Sequence, residues 1–205
     1  MRPRIEDWAM VNEAARDAIW EALFGKARTR VFAVLDGAAS PRILALLSRH
    51  DREHCCLFTG DMPPDLEQHA PHLAELSGEG ELTRTLIADG WGKAWGIFAL
   101  TGEDVTFRGL RKHFRTFLMV RKFDGKSLYF RYYDPRVFGQ YLPTCNVIEA
   151  ELVFGPVRSY VMESGGGAAI SALARVDGLP YTRVVELPGG VGAATAAEKS
   201  SAVLR

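Results

Sequence analysis

The sequence predicts an α/β fold: a mixed β-sheet with flanking helices, a strand–helix–strand start and a later antiparallel hairpin. Three observations carry this. Segments with apolar residues at helical spacing alternate with short apolar runs of strand length. Twice a capping residue precedes proline, at Ser40-Pro41 and Asp134-Pro135, the pattern of a helix start. Asp124-Gly125 separates two strand-like runs, and Asp-Gly accepts the positive φ angles of a tight hairpin turn.

In chain order, residues 6–24 predict an amphipathic helix, with Trp8, Val11, Ala15, Ile19, Ala22 and Leu23 on one stripe and Gly25 as the stop. Residues 30–35 predict an apolar strand, and Asp36-Gly37-Ala38 turns the chain. Ser40-Pro41 opens a helix through Ile43, Leu44, Leu46 and Leu47, and residues 55–58 predict the next strand. Strand, helix, strand favours a parallel pair. Residues 64–69 predict a helical turn and 73–76 either a short strand or an extended segment. Residues 81–88 predict a helix ended at Gly90, and 93–100 a strand. A helix over 104–118 shows the clearest pattern: Phe107, Leu110, Phe114, Phe117 and Leu118 form an apolar stripe beside a basic one. The hairpin follows, with its returning strand at 128–133. Asp134-Pro135 opens a helical stretch broken at Gly155-Pro156, and 157–162 predicts a last strand. From Ser164 the composition turns Gly- and Ala-rich, so 164–205 reads as a partly flexible appendage, with a helix over 168–175 and a strand over 182–187.

At 205 residues the chain is long enough to bury roughly 70% of the surface its unfolded form exposes. Hydrophobic residues at 47% and charged residues at 24% exclude a wholly disordered chain, a collagen and a coiled-coil rod. Three cysteines, two of them adjacent, do not form a secreted disulfide framework. Acidic residues stand where a secretion signal needs an apolar core, and no apolar run reaches the roughly 20 residues of a membrane helix. The expected location is the cytoplasm, with no membrane partner.

Motifs of catalysis are sparse. Gly125-Lys126-Ser127 resembles the end of a phosphate loop, but Val120 stands where that loop needs glycine. His50, His54, Cys55 and Cys56, with His69 and His72 beyond, suggest metal ligands; adjacent residues on a strand point to opposite faces, however, and the expectation is no metal and no cofactor. Cys145 falls near a predicted helix start, which would lower its pKa and leaves a Cys/His-dependent hydrolase open as an alternative. Ser164 is no nucleophile elbow, because Met162 occupies the required glycine position.

The charge pattern is more telling. The net charge is zero, yet residues 105–131 hold eight Lys/Arg (Arg108, Arg111, Lys112, Arg115, Arg121, Lys122, Lys126, Arg131) against Asp124 alone. Residues 51–89 hold nine acids against Arg52 and Arg84. Such opposed patches steer protein partners. Phe107, Phe114, Phe123 and Tyr129 interleave with the basic stretch, which leaves an RNA-binding module as a second alternative, although these aromatics fall on the apolar stripe or the hairpin, which favours core packing.

An ordered set of motifs resembles the type VI secretion effector-chaperone (adaptor) family, over about residues 31–162. These are Phe32-Ala33-Val34-Leu35-Asp36-Gly37-Ala38, Leu57-Phe58-Thr59-Gly60, Ala70-Pro71-His72-Leu73-Ala74-Glu75-Leu76, Trp91-Gly92, Trp95-Gly96-Ile97, Phe130-Arg131-Tyr132-Tyr133-Asp134-Pro135-Arg136-Val137 and Phe154-Gly155-Pro156. The resemblance implies no enzymatic activity. It implies a cytoplasmic adaptor that binds one effector protein, often through its N-terminal region, and helps load it onto the valine-glycine-repeat spike protein (VgrG). The chain then divides into an α/β adaptor domain at 1–163, with a leading helix over 1–29 and the family-like core over 30–163, and the appendage at 164–205.

Within that frame Asp134 is expected to cap the helix that Pro135 begins, and Asp36 and Gly37 to form the first turn. Arg131 and Arg136 would pair with Asp36, Asp134 or a partner carboxylate. Trp91 and Trp95 are expected in the core. The partner-binding residues expected from the charge excess are Arg108, Arg111, Lys112 and Arg115, with Arg131 and Arg136.

Overall fold

The computed structural model describes residues 11–60, 63, 68–121 and 127–189. The chain opens with α1 (Glu13–Phe24), capped by Asn12, whose side chain accepts from the Ala15 N–H at 2.8 Å. The helix therefore starts later than residue 6: Asn12 is extended, and residues 6–10 lie outside the described residues. Next come β1 (Thr29–Asp36), α2 (Pro41–Leu47) with Ser40 as its cap, β2 (His54–Cys56) and β3 (Pro71–Leu76). Helix α3 (Glu81–Thr85) continues into one π-type turn, Leu86–Gly90. Strand β4 (Gly96–Gly102) begins three residues later than expected, because residues 91–94 form a turn with Gly92 and Ala94 at φ +85° and +53°.

Helix α4 (Phe107–Thr116) is capped by Thr106. The small hairpin β5 (Met119–Arg121) and β6 (Ser127–Tyr129) follows, its turn lying outside the described residues. Its second strand is shorter than expected. At Tyr132 the chain has turned inward: the phenol donates to the Phe114 carbonyl at 2.9 Å and its ring stacks on Phe114. Helix α5 (Pro135–Tyr141) starts at the Asp134 cap as expected. Helix α6 (Val147–Phe154) starts at an Asn146–Glu149 capping box. Then come β7 (Val157–Ser164), β8 (Ala169–Val176) and β9 (Leu179–Glu186).

Seven strands form one sheet in the order β2-β3-β1-β4-β7-β8-β9, antiparallel at every junction. The expected α/β class with flanking helices and a later hairpin holds, while the sheet is antiparallel throughout, which corrects the expected parallel pair. Strand β2 does run in the same direction as β1, but β3 lies between them. Six β3 residues pair with β1, and β3 is buried along nearly its whole length. The three-residue, partly exposed β2 is left at the edge. A strand buried on both faces reads as a continuous apolar run, and β1 is that strand. Its Phe32 and Val34 join Ile97, Ala99, Tyr160 and Leu173 under α4, α5 and α6. Its Val31, Ala33 and Leu35 join Phe98, Leu100 and Ile170 under α1, α2 and α3. The result is a three-layer α/β/α arrangement.

The segment expected as an appendage supplies two strands of this sheet. The helix expected over 168–175 is β8, paired to β7 from Ser159↔Ala174 to Ser164↔Ala169. Ile170 and Leu173 go to opposite cores, so the two-residue period of a strand overrides the helical preference of the alanines. The strand expected over 182–187 is the outer part of β9. Residues 190–205 lie outside the described residues.

Candidate partner-binding site

The most ordered polar cluster lies where β1 ends and α5 begins. Asp36 is 2% exposed; its N–H donates to the Trp95 carbonyl at 2.8 Å and its carboxylate takes an ion pair from Arg131. The next residue is glycine for a local reason: a Cβ at Gly37 would lie 2.5 Å and 2.7 Å from the Ala70 and Gln68 carbonyl oxygens. Asp134 caps α5 through the Arg136 N–H at 2.9 Å, and the Arg136 guanidinium grips the same carboxylate with contacts of 2.9 and 2.7 Å. Burial works to raise the Asp134 carboxyl, but the hydrogen bonds from Arg136 hold it below its ordinary value. Bonding to Asp36 raises Arg131 likewise. Both arginines thus pair within the chain, as their forked donors favour.

A third acid, Glu163 near the end of β7, closes the cluster. It accepts from the Gly92 N–H at 2.7 Å and the Ala94 N–H at 3.0 Å, holding the loop whose φ angles are positive. Burial raises its pKa against those two bonds. Trp91 and Trp95 are core residues, 6% and 5% exposed. The Trp91 indole N–H reaches the Gly167 carbonyl at 3.1 Å, and a Cβ at Gly167 would lie 2.6 Å from the Gly92 Cα. Sequence reading missed Glu163 and Gly167. Their sequence signs are slight: one acid ending an apolar strand, and a glycine triplet whose three residues all have positive φ.

The basic stripe of α4 resolves into two kinds of residue. Arg108 and Lys112 are exposed and Arg111 is half-buried; with Thr106, Gly109 and Arg115 they line an open depression of about 510 Å³. Arg115 points elsewhere. Its guanidinium donates to the carbonyls of Leu57 at 2.9 Å, and of Cys56 and Phe58 at 3.1 Å each, tying the end of β2 to α4. Its guanidinium thus acts as a structural clamp at the rim of the depression.

None of the ion pairs among the described residues involves Arg108, Arg111, Lys112 or Arg115. The acidic stretch differs. Arg30 reaches Glu75 at 2.9 Å, Arg42 reaches Asp89 at 2.7 Å and Arg49 reaches Glu81 at 3.4 Å. Arginines from outside residues 51–89 therefore pair with three of that stretch's nine acids, while no ion pair among the described residues reaches the positive depression.

The alternative chemistries meet less support. Cys145 is 5% exposed, and burial raises its thiol rather than lowering it. The neighbouring Tyr141 is pushed up to about 12, by burial first and then by its contact with Cys145. Burial likewise raises Cys55 against the opposing pull of Arg111 and Arg115. His50 contacts the Glu75 carbonyl at 2.6 Å, His54 the Arg52 carbonyl at 3.1 Å and His72 the Ala70 carbonyl at 2.9 Å. Among the described residues no group of three or more His, Cys, Asp or Glu converges as metal ligands would. Phe107 and Phe114 are buried, Tyr129 packs on Phe58 at 4.7 Å, and Phe123, Lys122 and Lys126 lie outside the described residues.

The model of a family described as a domain of unknown function (DUF4123) matches residues 31–151, from the start of β1 into α6. The chain belongs to that family. No curated protein matches the chain, and no solved structure does. Among the described residues no helix is long and apolar enough to cross a membrane.

Proposed function

We propose that the protein is a non-enzymatic cytoplasmic adaptor that holds a type VI secretion effector and helps deliver it to the VgrG spike. The basic depression on α4, which no ion pair among the described residues reaches, carries this reading. Arg108 and Lys112 are exposed and Arg111 is half-buried beside Cys55, with no ion pair from the described residues, whereas the family-motif arginines Arg131 and Arg136 pair with Asp36 and Asp134. A cationic concavity on a rigid helix suits the acidic part of a protein client, because complementary charge steers encounter and sets register. The motif residues then keep the scaffold in shape. Burial of Cys145 supports the absence of a thiol nucleophile.

The test is capture from the producing cells by the tagged full chain, with mass spectrometry of the proteins retained. The expected result is one effector in near-equal amount, with or without the spike protein, lost in the triple variant Arg108→Glu, Arg111→Glu, Lys112→Glu. Arg115 stays unchanged in that variant so that the fold is kept. Capture unaffected by the three substitutions would overturn the assignment of the surface. RNA retained instead, with binding that falls steeply with salt, would replace the adaptor reading with the RNA-binding alternative.

A further inference from the structure

The two edges of the sheet are built differently. Strand β2 spans three residues and is crossed at its end by the Arg115 guanidinium. Strand β9 spans eight, and among the described residues no strand pairs with its outer edge. It carries Tyr181, Val184 and Val185 at 59%, 56% and 38% exposure. A long edge strand of this composition is a template for another strand unless charge or shape forbids it. Here the edge bears one cation, Arg183, and one anion, Glu186, within the strand.

The direction of its free hydrogen-bonding groups follows from the hairpin. Asp177 and Gly178, at φ +51° and +84°, form a two-residue turn between Val176 and Leu179. The Leu187 N–H donates inward to the Ala168 carbonyl at 2.9 Å. Antiparallel ladders alternate, so the odd-numbered residues of β9 bond to β8, and Thr182, Val184 and Glu186 present N–H and C=O outward. Pro180 shares that outward parity, and proline on an edge strand turns its missing N–H to the open side. Pro188 lies two residues past the strand's end, in a turn with Gly189 at φ +72°, and its carbonyl accepts from the Asn12 side chain at 2.6 Å. The outward donors thus lie between Pro180, inside the strand, and the turn at Pro188 that ends it.

We propose that this edge pairs with the same strand of a second copy, antiparallel about a two-fold axis at Val184. A two-fold interface must be self-complementary, and this register is. Val184 faces Val184 and Thr182 faces the second copy's Glu186; Pro180, which has no donor to offer, falls opposite the turn at Pro188, where the ladder has ended. All the outward N–H groups between the prolines are then used. Arg183 faces Val185, so no like charges oppose. Centring on Arg183 would set two guanidiniums against each other, and centring on Glu186 two carboxylates. Centring on Thr182 would set a proline against Val184. The two seven-stranded sheets become one continuous sheet.

The test is the mass of the full chain in solution by light scattering, from low to high micromolar concentration. The expected mass is twice 22.6 kDa. Val184→Lys, at a side chain more than half exposed, sets two ammonium groups across the axis and should return the protein to the monomer with unchanged circular dichroism. In the second arm, Val184→Cys should cross-link two copies on oxidation, since Cα atoms in such a pair lie about 5.5 Å apart, within disulfide reach. Val185→Cys should not. A monomer at every concentration, a dimer that survives Val184→Lys, or cross-linking at Val185→Cys instead would overturn the proposal. None of these outcomes bears on the adaptor reading, which rests on α4.

Discussion

Replacing Arg115 with alanine removes one guanidinium and three hydrogen bonds, to the carbonyls of Cys56, Leu57 and Phe58. Hydrogen bonds from charged donors contribute about 1.5–3 kcal/mol each at most, and three that share one half-buried group add to less than their sum. A loss of about 3 kcal/mol is expected, since the three carbonyls regain water only in part. For a chain of this size each kcal/mol moves the melting midpoint by about 2–4 °C, so Arg115→Ala should melt about 6–12 °C below the parent. Arg115→Lys should recover less than half, because an ammonium cannot span three carbonyls as a planar fork does. Arg108→Ala, at an exposed position of the same helix, should stay within about 0.5 kcal/mol of the parent. Thermal unfolding followed by circular dichroism decides the matter. If Arg115→Ala melted with Arg108→Ala, the division of the basic stripe into clamp and binding face would be wrong.

Two further outcomes follow from the polar cluster. Gly167→Ala places a Cβ 2.6 Å from the Gly92 Cα at a residue with φ +93°; it should lower the urea midpoint by a shift equivalent to about 2 kcal/mol or more, whereas Gly166→Ala, with nothing within 4 Å, should cost only its backbone strain of about 1 kcal/mol. Asp134 has a depressed carboxyl, so its contribution is present above the unfolded value near 3.9 and is lost as the pH falls through the lower folded value. Asp134→Asn should therefore be less stable than the parent at pH 7, and the gap should narrow as unfolding is measured at successively lower pH below about 5. A gap that did not change with pH would mean that capping geometry, and not charge, carries the effect.

The helix starts were legible because capping is local: Ser40 and Asp134 announce their prolines, and both serve as drawn. The two-faced burial of β1 was legible as an unbroken apolar run. The order of strands was not, since nothing between β1 and β2 says that β3 will insert between them. Nor was the fate of residues 168–175, where alanine-rich composition masked a two-residue alternation. There the sequence did hold a sign: Asp177-Gly178 is the same dipeptide read as a turn at Asp124-Gly125, and it joins β8 to β9. At the site, the charge excess pointed to α4, but only the fold separates Arg115, folded back on β2, from Arg108 and Lys112. The Asp36–Arg131 pair was one of several pairings the motif allowed. Glu163 was unreadable because its partners are backbone N–H groups roughly seventy residues away.

The sheet order also governs the timing of assembly. Strand β4 sits beside β7, and Phe98 waits for Val161 roughly sixty residues later in the chain. At about 5–20 residues per second of synthesis, the nascent strand stands with a bare edge for several seconds before its neighbour exists. In that interval the β2-β3-β1-β4 half can order only on the α1–α2–α3 side, since the helices of the opposite layer are made after it. Non-local pairing of this kind slows folding and lengthens exposure to wrong partners. The segment that ends the wait begins beyond residue 151, outside the stretch that marks the family.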